Sequence, residues 1–365
     1  TGYTGTYDGQ PHGVTFTDGN GQLLPDDTVT YSTPNAYTDV TNGPVTVTVT
    51  VTRDGVVIWT GSATVTIQPR TVSLTAQSLS TVYDGAAHML DVTVPLGDGG
   101  AVTTADAEAI RQALQFTMGG TVVDNSFTNA MPTTTVTVSA NYPNYVIVPA
   151  TPTVTIDKRQ VTLTADSLTG IVYDGLPHTV TTFTLAEPGE GTGLVSGDTV
   201  QSVTMTDNTR TLVGVSEPTP SQAVLGVGNA DNYLFTYQKG ILEIVKSSAL
   251  TLTLNAGAGS YIYDGLAHGF TADSAGVPVM LEYRLPDGDW QTVTAGNPLP
   301  VYTNVGEYPL TVRASNPNYD NQPTASATLT ITPREVTVRA GSGSYLYDGF
   351  AHTVTGWTVD ATDAT

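Results

Sequence analysis

Valine and threonine alternate along much of the chain. In Val45-Thr46-Val47-Thr48-Val49-Thr50-Val51 every valine falls on one side and every threonine on the other, because successive side chains of a strand point to opposite faces. The same period of two at 29–31, 56–60 and 63–67 predicts strands with one face in a core and one in water. Asp54-Gly55, between two of these runs, predicts a hairpin turn. Further strands are predicted near Thr121 and over 133–139, 145–148 and 153–156, with a later hairpin joining 281–284 to 290–293. Glu187 to Gly193 has the composition of a loop. Helical spacing appears once. Between Thr103 and Phe116, Ile110, Ala113 and Leu114 stand at i, i+3 and i+4 among good helix formers, which predicts one short helix inserted between strands. Its start signal at Thr104 is incomplete, since the residue three further on is Ala107 and not glutamate or glutamine.

One stretch recurs outside the alternation. Tyr-Asp-Gly-x-x-His begins at Tyr7, Tyr83, Tyr173, Tyr263 and Tyr347, and its last residues, His12, His88, His178, His268 and His352, are all five histidines of the chain. Between them lie Asp8-Gly9, Asp84-Gly85, Asp174-Gly175, Asp264-Gly265 and Asp348-Gly349. The spacings of 76, 90, 90 and 84 residues define a tandem array. The expected bounds are 1–69, 70–157, 158–246 and 247–333, with 334–365 the start of a fifth repeat. Strand-like runs at 71–76, 161–165, 250–254 and 336–340 precede the later hexads, and the first repeat lacks that strand. The chain therefore reads as a segment of a longer polypeptide.

An Asn-Tyr turn closes the second, third and fourth repeats, at Asn144-Tyr145, Asn232-Tyr233 and Asn318-Tyr319. Successive repeats join through two to four residues, twice with proline (Pro69, Pro333) and never through a Gly/Ser linker, which predicts semi-rigid junctions. Arg70, Arg159, Lys246 and Arg334 put a cation at each junction, where bridges to acidic loops of neighbouring repeats are expected.

Charge narrows the function classes. Lys plus Arg number 12 against 33 Asp plus Glu, a net charge of −21, and such a balance opposes binding to nucleic acid or to anionic membrane surfaces. No apolar run reaches the length that spans a bilayer. There is no cysteine, so no disulfide contributes.

The hexad, with Val-Thr-Leu-Thr-Ala upstream and Asn-Tyr, a Thr-Ile strand and a Lys-Arg or Pro-Arg junction downstream, resembles the MBG and YDG repeats of large bacterial surface proteins. The resemblance covers essentially the whole chain, though the first repeat has Arg53-Asp54-Gly55 where others have Asn-Tyr. It implies an all-β fold: tandem immunoglobulin-like β-sandwich domains in an extended rod, here with one short helix in the second repeat. It also implies a bacterial cell-surface or secreted location and no enzymatic activity. The expected role is a stalk or spacer of an adhesin-like protein, able to self-associate into filaments. The alternative is a module that binds a host or matrix glycan or protein.

Each hexad pairs one aspartate with one histidine, a combination used in catalysis and metal binding. Yet no nucleophile or second ligand recurs with it, so no catalytic, cofactor or metal residue is assigned. The favoured reading is architectural: a buried tyrosine bonded to backbone through its hydroxyl, an Asp-Gly turn with glycine at positive φ, and a histidine capping the sandwich end. Calcium is the one cofactor considered, at Asp18-Gly19-Asn20-Gly21, Asp26-Asp27, Asp98-Gly99 or Asp287-Gly288-Asp289, and none matches the twelve-residue calcium loop. Only Lys158, Lys239 and Lys246 exist to form isopeptide links, too few for one in every repeat. Trp59, Tyr283 and Trp290 are candidates for a sugar-stacking platform, though a place in the core or in hairpin pairs is the favoured reading; the fourth repeat and its Trp290 are the first place to look for binding.

Overall fold

The computed structural model describes residues 1–360, so the last five residues of the 334–365 segment lie outside the described residues. The chain forms two compact units, one of Thr1–Leu163, Leu185–Thr204 and Ser221–Tyr237, the other of Thr164–Thr184, Met205–Pro220 and Gln238–Thr365. The fold is all-β, made of tandem immunoglobulin-like β-sandwiches, with one short α-helix among the described residues, in the second repeat.

In the first unit, Val45–Arg53 pairs antiparallel with Val56–Gln68 through a turn at Asp54 and Gly55, with φ of 46° and 81°. Two adjacent residues at positive φ give the tight hairpin that matches strand twist. The two runs predicted over 56–60 and 63–67 form this single strand, Val56–Gln68. Val47, Val49, Val51, Val65 and Ile67 are buried, while the threonines between them stay at or near the surface.

The helix Thr104–Gln112 begins one residue earlier than its sequence signal. Thr103 caps it by accepting from the Asp106 N–H, so the residue three further on is acidic after all, and Ala107 and Ile110 are its buried side chains.

The fourth repeat, in the second unit, shows the sandwich most fully. A five-stranded sheet, from Ser260–Ile262 through Thr324–Thr332, Gly306–Ser315 and Met280–Arg284 to Gln291–Thr292, faces the pair Thr253–Asn255 and Thr271–Asp273. Phe270, Tyr283, Leu310, Val312 and Leu329 fill the space between, with Leu254 and Tyr302 at its margin. Burial of such side chains is worth about 1.5–3 kcal/mol each.

One pairing places the hexads. The strand before each of the first four runs parallel to the last strand of its repeat: Tyr3–Thr6 with Val65–Gln68, Leu79–Val82 with Thr153–Asp157, Leu168–Val172 with Leu242–Val245, and Ser260–Ile262 with Thr324–Thr332. The ladder ends where the hexad tyrosine N–H donates to the last strand: Tyr7 to Gln68 O at 2.8 Å, and Tyr83 to Asp157 O, Tyr173 to Val245 O and Tyr263 to Thr332 O at 2.9 Å each. Each of these hexads therefore emerges at the end of its repeat from which the chain passes onward. The N-terminal strand Tyr3–Thr6 is the counterpart of Leu79–Val82, Leu168–Val172 and Ser260–Ile262, and not of the runs at 71–76, 161–165 and 250–254.

Candidate functional site

Every hexad folds into the same corner. Its aspartate Oδ1 accepts the N–H two residues on, at 2.8–3.0 Å, from Gln10, Ala86, Leu176, Leu266 and Phe350 in turn, an Asx turn. Gly9, Gly85, Gly175, Gly265 and Gly349 carry φ of 75°, 81°, 80°, 79° and 80°, a region open to glycine at no steric cost. The histidine Nε2 lies 2.8–3.1 Å from the aspartate Oδ1: His12 on Asp8, His88 on Asp84, His178 on Asp174, His268 on Asp264 and His352 on Asp348. The histidine backbone then pairs with a segment farther on, His12 with Tyr37 and His88 with Phe127 as isolated bridges, and His178 with Arg210 and His268 with Tyr302 in short strands. Imidazoles also stack on tyrosines, His12 on Tyr3 at 3.7 Å and His268 on Tyr261 at 3.8 Å between ring centroids.

The backbone N–H accepted by each aspartate, and after it the histidine, hold the Asp8, Asp84, Asp174 and Asp264 carboxyls below the usual aspartate range. Among the described residues no three His, Cys, Asp or Glu side chains gather where they could hold a metal ion. Two of the acidic-loop carboxylates are engaged within their own repeat. Asp18 accepts from Leu23 and Asn20 N–H groups, and Asp27 pairs with Arg53 at 2.7 Å, which draws its pKa down to about 2.

The hexad tyrosine departs from the expectation of a hydroxyl bonded to backbone. Its ring meets the tyrosine of the next repeat's Asn-Tyr turn edge to face: Tyr7 on Tyr145 at 5.4 Å and 76°, Tyr83 on Tyr233 at 5.5 Å and 84°, Tyr173 on Tyr319 at 5.4 Å and 83°. The neighbouring asparagine Oδ1 accepts a backbone N–H of the preceding repeat, from Val40 to Asn144 and Ala130 to Asn232 at 2.8 Å, and from Val213 to Asn318 at 3.1 Å. Asn144 Nδ2 also donates to Asp39 Oδ1 at 2.8 Å and Asn232 Nδ2 to Asn129 Oδ1 at 3.0 Å. Burial tracks this contact. Tyr7 and Tyr83 are 9 % and 8 % exposed, whereas Tyr263 and Tyr347, which no Asn-Tyr turn meets among the described residues, are 40 % and 97 % exposed.

The turn tyrosine is fixed from its own side. Tyr145 Oη accepts from the Val102 N–H and donates to Asp106 Oδ2, and Tyr233 Oη accepts from the Val195 N–H and donates to Asp198. Val102 and Val195 in turn face the preceding hexad glycine: a Cβ on Gly9 would stand 3.4 Å from Val102 Cγ1, and one on Gly85 2.8 Å from Val195 Cγ1. Burial first, then the Asp106 carboxylate, pushes the Tyr145 hydroxyl up to about 12.

Several sequence readings change. Arg70 donates to the Gly100 and Gly97 carbonyls, and Arg159 to those of Gly193, Gly189, Thr192 and Tyr83. These junction cations thus hold glycine-rich loops by their carbonyls, because the planar guanidinium fork matches several such oxygens at once. Arg284 and Arg313 stand over the Trp290 ring at 4.9 and 4.4 Å, and Tyr283 is buried with its hydroxyl on Gln291 and Asn297. Trp59 remains 47 % exposed beside Phe16, over a groove of about 450 Å3 lined also by Asp18, Asn20, Gln22 and Arg53. Lys158, Lys239 and Lys246 are all exposed, not in the buried setting an isopeptide requires.

A further latch was missed. Asn35 and Asn125 each grip one backbone residue by both its N–H and C=O, Val14 and Leu90 respectively. The signal was present as Asn-Ala-Tyr-Thr-Asp at 35–39 and Asn-Ser-Phe-Thr-Asn at 125–129.

No family model and no curated protein matches the chain. Solved structures similar to it include immunoglobulin domains 1–5 of Sidekick-1 (10 % identity, 92 % of this chain and 80 % of that one, TM-score 0.30). Drosophila N-cadherin EC1-4 is similar at 11 % identity, over 92 % of this chain and 99 % of that one, with a TM-score of 0.25. The protocadherin GammaB4 extracellular domain is similar at 9 % identity, over 90 % and 62 %, with a TM-score of 0.28. Among the described residues no helix is long and apolar enough to cross a membrane.

Proposed function

We propose that the chain is a structural stalk or spacer segment of a bacterial cell-surface or secreted adhesin-like protein, built of MBG/YDG-type repeats and without enzymatic activity. The observation that carries this reading is the junction. Three times, an Asn-Tyr turn closes on the hexad corner of the preceding repeat with the same hydrogen bond and the same edge-to-face ring contact. A recurrent corner that spends its polar groups on fixing the next repeat suits a part whose task is to hold distance and angle. The repeat bounds that fit are 1–69, 70–157, 158–246 and 247–333, followed by the start of a fifth. Self-association into filaments belongs to the same reading, and electron microscopy of the purified chain at high concentration tests it: monomers alone would remove it.

The spacer role is tested by displaying the chain on a cell between an anchor and an epitope head. Deleting residues 70–157 should reduce the reach of the head in an antibody-accessibility assay and abolish nothing else. Loss of a specific ligand-binding activity on that deletion would overturn the reading.

The exposed Trp59 favours a second reading, a surface that binds a host or matrix glycan or protein. An indole face beside polar side chains suits the apolar face of a sugar ring. Titration with a glycan library, read by tryptophan fluorescence, should then give a saturable change that Trp59→Ala removes. A flat response across the library would leave only the spacer.

A further inference from the structure

Three of the four complete hexad corners are covered by an Asn-Tyr turn, and the corner at Tyr263 is not. We infer that the Tyr263 corner is a socket for the Asn-Tyr turn of a module of this same type joined after Pro333. The covered corners specify what such a socket needs. A hexad tyrosine is anchored by its N–H to the final strand, a backbone N–H is offered to an asparagine Oδ1, and room is left at the hexad glycine.

The Tyr263 corner has each part. Tyr263 N–H donates to Thr332 O at 2.9 Å, as Tyr7 N–H does to Gln68 O at 2.8 Å. The offered N–H belongs, in every covered corner, to the third residue after the one bridged to the hexad histidine: Val40 after Tyr37, Ala130 after Phe127, Val213 after Arg210. His268 bridges to Tyr302, so the equivalent donor is Val305, which is exposed. Asn304 then stands where Asp39 and Asn129 receive the asparagine amide. Around Gly265 a Cβ would meet nothing within 4 Å, where Gly9 and Gly85 face valines of the next repeat and Gly175 meets only the Tyr173 hydroxyl at 4.0 Å. Beside Tyr263 a cleft of about 520 Å3 opens, lined by Ile262, Tyr263, Asp264, Pro333, Arg334 and Glu335.

The occupant is a following module in the same chain because every covered corner is filled by the next repeat. The connection is also matched: Pro333-Arg334 follows Thr332 as Pro69-Arg70 follows Gln68. The inference deepens the spacer reading by stating how the array is extended, and its test reads one tyrosine and no function, so either can fail without the other.

The test extends the chain by replacing residues 334–365 with a second copy of residues 70–157, and follows nitration of Tyr263 by peptide mass spectrometry. Docking should slow modification about fivefold, the ratio of the 40 % exposure of Tyr263 to the 8 % of Tyr83. Asn144→Ala with Tyr145→Ala in the grafted copy alone should restore the parent rate. Should those substitutions unfold the graft, Val305→Pro in the extended chain, which removes the offered N–H, should restore it instead. Unchanged Tyr263 reactivity in the extended chain, with the graft shown to be folded by hydrogen exchange, would overturn the inference.

Discussion

Asn144 accepts the Val40 N–H at 2.8 Å and returns a hydrogen bond to Asp39 at 2.8 Å, across 104 residues of chain, so a single amide side chain ties the second repeat to the first. Asn144 itself sits at φ 68°, a conformation asparagine tolerates better than other branched or bulky residues. Turn geometry and junction chemistry therefore select the same residue.

Removing that amide leaves a part-buried N–H without its acceptor. Asn144→Ala should cost about 1–3 kcal/mol in chemical denaturation and broaden the distance distribution between spin labels placed on the first and second repeats. An unbroadened distribution would show that the asparagine does not fix the junction.

Glycine at the hexad has two separable roles. Gly85→Ala meets a positive φ of 81° and also a contact 2.8 Å from Val195 Cγ1, whereas Gly265→Ala meets φ 79° and open space. Both should lose about 1–2 kcal/mol from the left-handed backbone. Only Gly85→Ala should in addition raise the reactivity of Tyr83 towards nitration. Equal effects on the two neighbouring tyrosines would remove the packing role.

The junction is sensitive to alkali. Tyr145 is held neutral, its value raised from 10.0 to about 12, chiefly by burial. A raised value in the folded state means that this contribution is complete below pH 10 and is lost as pH climbs through 12. Spectrophotometric titration should show late-ionising tyrosines, Tyr145 and Tyr233 among them, and one fewer in Tyr145→Phe.

Acid acts on the corners themselves. The Asp8, Asp84, Asp174 and Asp264 carboxyls are depressed below 3.8, first by the N–H each accepts and then by the histidine. A depressed folded value gives stability that is present above pH 3.8 and is lost as pH falls through the folded value. The order of causes predicts that Asp174→Ala lowers thermal stability more than His178→Gln. The reverse order in differential scanning calorimetry would assign the corner to the imidazole.

Much of the fold was legible because its determinants are local. Alternation at 45–51 dictates which face is buried, Asp54-Gly55 dictates a turn, and the spacing of Ile110, Ala113 and Leu114 dictates a helix. The helix start was misplaced by one residue because capping depends on backbone geometry at Thr103 that composition does not display. Trp59 and Trp290 were equal candidates in the sequence; the arginines Arg284 and Arg313 over the Trp290 ring and the exposure of Trp59 separate the two.

By itself the sequence determined the repeat, the strands, and the Asp-Gly turn of each hexad, since those follow from side-chain period and from φ preferences within a few residues. Only the tertiary structure decided what the hexad tyrosine and the Asn-Tyr turn are for. They lie more than a hundred residues apart in chain order, as Tyr7 and Tyr145 do, and parallel pairing of the strand before the hexad with the last strand brings them to one junction. No short-range pattern encodes that meeting, because it depends on which strand edges pair.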